Sequence, residues 1–221
     1  MAEIPTDGPG GKFSTHVPFR ETLGAMLEAW YAIADSDGSA KATYLWDTGY
    51  PHLQEALDAS LRVMAECPGC EVLGVETKTT AAFANPVEIA AAAASIAQRN
   101  AGENSYMMTA YDLGIPAIAE SVQSVGGGVR IMTKNASAQA FDQIAKGSVL
   151  MDSGTSAVWA GYASIDQMIR ILDGQEPLPW WEQGLPVHIF DKSNLPADGI
   201  FDWKSQIDFV AEYYKLWGVK N

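Results

Sequence analysis

Ala42-Thr43-Tyr44-Leu45-Trp46, followed by Pro51 to Glu66, is the stretch on which the reading of the fold turns. The first run is uncharged and rich in β-branched and aromatic side chains, as a buried strand is. The second opens with proline, which the first turn of a helix tolerates, and sets Leu53, Leu57, Leu61 and Met64 on one face. Together they make one strand-helix unit.

Working outward, the unit recurs. Upstream, Thr22 to Ala34 places Leu23, Met26, Leu27, Trp30 and Ile33 at helical spacing, and Ser36-Asp37-Gly38-Ser39 ends that helix. Downstream, Glu71-Val72-Leu73-Gly74-Val75-Glu76 reads as a strand. Asn85-Pro86-Val87-Glu88 then supplies an N-cap, a proline at the first helical position and a glutamate at the third, opening an alanine-rich helix to Arg99. A third strand over Tyr106 to Tyr111 precedes a helix from Ile115 to Val125. A fourth over Val129 to Thr133 precedes a helix capped by Ser137 and ended at Gly147. Such alternation predicts an α/β fold, a parallel sheet with helices on both faces.

In an open sheet of this type ligands lie beyond the carboxyl ends of the strands. Trp46-Asp47-Thr48, Thr77-Lys78, Tyr111-Asp112 and Lys134-Asn135 are therefore where function is sought. Past Leu150 the pattern changes. Thr155 to Leu172 reads as a long amphipathic helix carrying Trp159, Ile165, Met168 and Leu172. Pro177, Pro179 and Pro186 mark a turn-rich segment, and Trp203 to Trp217 repeats Phe209, Val210, Tyr213 and Trp217 at helical spacing, a tail expected to dock.

The 221 residues suit one large domain or two small ones. At 48% hydrophobic and 19% charged the composition is globular. Lys and Arg total 14 against 27 Asp and Glu, a net charge of −13, with no basic stripe to neutralise a phosphate backbone, so nucleic acid is not an expected partner. No apolar run approaches the roughly 20 residues of a spanning helix. The first eleven residues have neither a basic nor an apolar region of the secretory kind, so any export signal lies outside this chain.

Catalytic signatures are missing. There is no Gly-x-Gly-x-x-Gly, Walker loop, Gly-x-Ser-x-Gly or His-x-x-x-His, and Gly126-Gly127-Gly128 precedes a strand where a phosphate loop would follow one. No enzymatic activity, cofactor or metal is expected, although dispersed catalytic residues remain a weaker alternative. Of His16, His52 and His188, only His52 lies beside a strand's carboxyl end. Cys67-Pro68-Gly69-Cys70 has the spacing of a redox pair, half a zinc site or a local disulfide. No second Cys/His pair completes a zinc site, and the motif follows a helix instead of opening one, which leaves a structural disulfide as the form expected in an exported protein. Trp46, Tyr50, Phe83, Tyr111 and Trp159 offer an aromatic wall, with Asp47, Asp112 and Asn135 as fixed hydrogen-bond groups, an arrangement suited to a neutral polyhydroxy ligand. The competing reading makes Trp46 and Tyr111 core residues and Asp47 and Asp112 caps of the following helices.

Taken in order, Arg20-Glu21-Thr22-Leu23-Gly24, Tyr111-Asp112-Leu113-Gly114, Asp142-Gln143-Ile144-Ala145-Lys146-Gly147 and Ile171-Leu172-Asp173-Gly174 carry a resemblance. Phe13 through Asn194 resembles the C-terminal lobe and closing segments of type I periplasmic-binding proteins, the ribose-binding-protein-like group that serves sugar ABC transporters. Ile4-Pro5-Thr6-Asp7 resembles the crossing strand between the lobes, which implies that a first lobe of about a hundred residues is absent from this chain. The family's early arginine falls near Tyr50-Pro51-His52, its asparagine-aspartate pair on Ala110-Tyr111, its aspartate after the fourth strand on Asn135 and its hinge glutamine near Thr155.

The resemblance implies a crossover segment over 1–18, a ligand-binding lobe over 19–150 and, over 151–221, a hinge-crossing helix, an extended segment and a C-terminal helix. It implies a periplasmic or extracytoplasmic protein that binds a sugar-like solute, with an ABC permease as partner when full-length. The ligand-binding residues expected are Trp46, Asp47, Tyr50, His52, Phe83, Tyr111, Asp112, Asn135 and Thr155. A homodimer is the expected assembly, made through the helix at Thr155 to Leu172 or the aromatic tail. The alternative function is the effector domain of a lactose-repressor-type regulator lacking its DNA-binding part.

Overall fold

The computed structural model describes residues 15–17, 19–102, 104–126, 128–195 and 207–219. Nearly all of the expected crossover segment, residues 1–14 and 18, and the start of the expected tail helix at Trp203 lie outside them. The elements run α1 Glu21–Asp35, β1 Lys41–Asp47, α2 Pro51–Ala65, β2 Glu71–Lys78, α3 Thr80–Ala84, α4 Pro86–Arg99, β3 Ser105–Thr109, α5 Ile115–Val125, β4 Arg130–Lys134, α6 Ala138–Lys146, β5 Met151–Gly154, α7 Ala157–Leu172, β6 His188–Asp191 and α8 Phe209–Leu216.

Six strands form one sheet in the order β2-β1-β3-β4-β5-β6. All neighbours are parallel except β5 and β6. β1 is buried over six of its seven residues and β3 over all five, because helices cover both faces of the sheet's centre. Right-handed crossovers put α2 on one face and α4, α5 and α6 on the other. α1 packs beside α2 and across β4 and β5. The local signals read from the sequence act as anticipated at several ends. Asn85 accepts from the amides of Val87 and Glu88, and Ser137 accepts from that of Ala140.

The sheet runs on past Leu150. β5, Met151-Asp152-Ser153-Gly154, has no alternation and two polar residues out of four, so no periodicity announces it, yet it is buried throughout. β6 then returns antiparallel along it, with Met151 opposite Asp191 and Gly154 opposite His188. Cys67 and Cys70 are joined as a disulfide in the turn between α2 and β2.

Two apolar clusters result. The large one fills both faces of the sheet, with Tyr44, Trp46, Phe83, Tyr106, Met107 and Phe190 among its buried members. The small one joins Trp159, Ala160 and Ala163 of α7 to Leu185, Phe209 and Tyr213. The Trp159 ring stacks on Phe209 at 4.8 Å, and Tyr162 stacks on Trp217 at 5.7 Å, so the aromatic tail docks on α7. Ile165, Met168 and Leu172 remain exposed on the same helix.

Trp46 and Phe83 expose no surface. The Trp46 indole N–H donates to the Leu53 carbonyl at 2.8 Å, and the Phe83 ring lies against Tyr111 at 4.9 Å. Trp46 thus follows the core reading offered for it, and Phe83, expected at the ligand, is a core residue as well. Large-to-small replacement of a buried Trp typically removes about 3–5 kcal/mol, and an exposed substitution changes stability by less than about 0.5 kcal/mol. Trp46→Ala is therefore expected to lower the unfolding free energy by the first amount and Trp181→Ala, at a ring 66% exposed, by no more than the second. Urea unfolding of the two variants checks this.

Candidate functional site

The parallel strands all end on one edge, and the chain leaving that edge supplies the candidate residues. β1 continues to β2 on one side, whereas β3 lies on its other side and continues away. The crevice beyond β1 and β3 is thus the topological switch point, the place where open α/β sheets bind ligands.

A hydrogen bond spans that point. Asp47, the last residue of β1, is fully buried and accepts from the Tyr111 hydroxyl, which belongs to the turn just after β3. It also accepts from the Gly49 amide and the Thr80 hydroxyl, each at 2.6 Å. Burial, and after it the bond to Asp47, pushes the Tyr111 hydroxyl well above its ordinary pKa, so it stays a neutral donor. Asp112 accepts from the Ser137 amide at 2.9 Å and so tethers the start of α6. Burial raises its pKa. Neither aspartate caps the helix that follows it, because α2 and α5 are capped at Tyr50 and Gly114 without a side-chain bond.

Tyr50, 47% exposed, has its ring 5.5 Å from His52, and Asn135, beyond β4, is exposed on the same edge nearer the start of α1. Asn135 and Ala136 both have positive φ, 104° and 60°, a strained turn held by two bonds from the Ala136 amide to the Asp152 carboxyl at 3.0 and 3.1 Å. Gly154 makes this turn possible. A Cβ there would lie 2.5 Å from the Ala136 Cβ, closer than packed atoms approach. Thr155 is buried, donates to the Phe19 carbonyl at 3.3 Å and stands apart from the β1/β3 crevice, beyond β5.

The sequence did not mark Lys134, Glu21, Glu28 or Asp152 as a group. The Lys134 ammonium, 1% exposed, donates to Glu21 of α1 at 2.7 Å and to the Ala110 carbonyl at the end of β3, and it stands 5.1 Å from the centre of the Trp46 ring. Glu28, about two turns further along α1, is fully buried and neither oxygen has a hydrogen-bond partner. Burial raises its pKa to about 8, against the opposing pull of Lys134. Burial also holds Asp152 well above its usual range. The signal available in the sequence was Glu28 itself, the charged residue on a helix face that otherwise buries the small uncharged Thr22, Gly24, Ala25, Ala29 and Ala32. Among the described residues no cluster of three or more His, Cys, Asp or Glu is arranged to hold a metal ion.

The element order and sheet topology define a doubly wound α/β lobe. No family model matches the sequence, and no curated protein matches it. Solved structures do. A periplasmic solute-binding protein of an ABC transporter from Actinobacillus succinogenes, with bound D-allose, superposes at a TM-score of 0.72 and 15% identity, covering 86% of this chain and 66% of that one. A solute-binding protein from Agrobacterium vitis bound with α-D-tagatopyranose gives 0.71 and 17%, covering 91% and 67%. A periplasmic ribose ABC transporter structure from Conexibacter woesei gives 0.69 and 21%, covering 86% and 64%. The chain has the fold of these type I sugar-binding proteins and spans about two thirds of their length.

The acid in α1 has a consequence for stability. A carboxyl whose pKa is higher folded than unfolded stabilises fully below its unfolded value, and that contribution is lost as pH rises through its folded value. For Glu28 the window runs from about 4.5 to about 8. Glu28→Gln is expected to match the wild type in denaturant midpoint at pH 4.5 and to exceed it increasingly up to pH 8. Parallel pH profiles for the two proteins would show that Glu28 does not titrate in this way.

Proposed function

We propose that this chain binds a small polar solute, a sugar, at the carboxyl edge of its sheet, and serves as the solute-binding component of an ABC transporter or as one lobe of it. The observation that carries the reading is the Asp47–Tyr111 bond across the β1/β3 switch point. It fixes one carboxylate and one phenol at the position where this class of sheet receives its ligand, with no nucleophile and base paired there. The structural neighbours support the solute class, since those named above hold D-allose and tagatose. They are solute-binding proteins, which favours binding over catalysis and an extracytoplasmic setting, and does not favour the regulator reading.

In this reading the Tyr50 ring and His52 form one wall, the part-buried Tyr111 hydroxyl, oriented by the buried Asp47 beneath it, accepts from a sugar hydroxyl, and Asp112 and Asn135 close the far side. Trp46 and Phe83 support the wall from beneath without reaching the ligand. Docking on a permease belongs to the same proposal, as does self-association through Ile165, Met168 and Leu172 of α7.

Calorimetry with D-allose, D-ribose and D-tagatose tests the reading. At least one is expected to bind, and Tyr50→Ala should weaken it about tenfold, roughly 1.4 kcal/mol, while leaving the unfolding midpoint unchanged because the ring is half exposed. Absence of binding by all three, or full affinity in Tyr50→Ala, would contradict it.

A further inference from the structure

A hydroxyl group owns one proton, and once that proton is given away its oxygen can only accept. Two hydroxyls near the end of β1 are in that state. Thr80, the first residue of α3, donates to Asp47 Oδ2 at 2.6 Å, and Tyr111 donates to the same oxygen. The other carboxylate oxygen, Oδ1, accepts from the Gly49 amide at 2.6 Å. Asp47 thus consumes the protons of both hydroxyls and leaves their oxygens as acceptors alone.

Because both oxygens lie against one carboxylate oxygen, they stand no more than about 5 Å apart, a gap that a single atom hydrogen-bonded to each at roughly 2.9 Å can span. The place is open to solvent. Thr48, Gly49, Tyr50 and Leu113 are exposed, and Thr80 and Tyr111 are half-buried. Gly49 helps to keep it open, since a Cβ there would stand 3.0 Å from Asp47 Oδ1 and 3.1 Å from Thr80 Oγ1 and crowd the acceptor.

Charge selects among the groups able to bridge the two oxygens. Asp47 is fully buried, its three donors are neutral, and among the described residues no Lys, Arg or His is ion-paired with it. Lys78, opposite Asp47 in the register of β1 and β2, pairs with Glu76 at 3.3 Å, and Lys134, beside the Trp46 ring, pairs with Glu21 at 2.7 Å. A cation resting on the Thr80 and Tyr111 oxygens would stand about 5 Å from the carboxylate, within the roughly 4–6 Å at which an opposite charge is felt strongly. A sugar hydroxyl brings one proton and satisfies one of the two acceptors. A protonated primary amine brings three, together with the positive charge that Asp47 lacks.

We propose that the Thr80 and Tyr111 oxygens receive a protonated primary amine, that the solute is accordingly an amino sugar, and that Asp47 is the positioning residue that fixes their polarity. This rests on the sugar-binding reading and puts an amine where that reading puts a hydroxyl. A carboxylate, which only accepts, finds no donor at this pair and meets the charge of Asp47.

The test pairs D-glucosamine with D-glucose and D-galactosamine with D-galactose in calorimetry at about pH 6.5, so that the amines carry their protons. An amide-resolved NMR titration adds methylammonium as the amine alone and tetramethylammonium as an equal charge without N–H donors. At least one amino sugar should bind about tenfold more tightly than its parent, and Thr80→Val and Asp47→Asn should each bring that ratio below about twofold. A purely structural role for either residue would weaken both sugars and leave the ratio standing, which overturns the assignment to this pair. Methylammonium should shift the amide resonances of Gly49, Thr80 and Tyr111, and tetramethylammonium should not. Equal shifts from the two ions overturn the donor requirement. Equal affinity for amino sugar and parent overturns the amine inference and leaves the sugar-binding reading in place. Methylammonium shifts without any sugar binding would keep the pair as an amine site and overturn its assignment to an amino sugar.

Discussion

An ammonium group taken out of water needs partners on every side, and Lys134 finds them in three different elements. Glu21 comes from α1, the Ala110 carbonyl from the end of β3 and the Trp46 ring from the end of β1. Because β4 delivers the lysine itself, one charge ties four elements together at the carboxyl edge of the sheet. Removing one partner from a buried pair generally costs more than the pair ever contributed, about 3–5 kcal/mol, so these positions cannot drift independently. The edge is thereby tied together, as the proposed binding surface requires.

The rest of that edge depends on the same tie. With β3 and β4 fixed in relative height, Tyr111 reaches Asp47 at the end of the neighbouring β1, and Asp112 accepts from the Ser137 amide at the start of α6. The strained turn at Asn135 and Ala136 follows Lys134 directly and is held down by Asp152 from β5. Buried acids stand close to this assembly, and burial raises Glu28, Asp112 and Asp152 together. Tolerance of so many carboxyls in one small volume comes from keeping several of them neutral, with a single lysine at the centre.

The repeating strand-helix unit was legible because local signals agreed with the global fold. Proline at the start of α2, the Asn85 cap of α4 and the glycine after α6 each marked a boundary within one or two residues of the observed one. β5 was not legible, since Asp152 and Ser153 are buried by neighbouring elements and not by any pattern of their own. β6 was missed for a related reason: four residues returning antiparallel carry too little alternation to stand out. At the candidate site the sequence located the carboxyl edge of the sheet, because strand ends follow from strand positions. It could not separate Trp46 and Phe83, which face inward, from Tyr50, which faces out, since all three are aromatic residues near a loop. Nor could it single out Lys134, whose importance lies in contacts with residues 113 and 24 positions away.

The central claim is that a sugar meets this protein at the β1/β3 switch point. Amide-resolved NMR titration with D-ribose or D-allose maps the contact without any substitution. The account predicts that the shifts concentrate at residues 48–52, 111–114 and 135–137, on the carboxyl edge. Shifts confined to the opposite edge, around residues 39–41, 104–106 and 128–130, would contradict it.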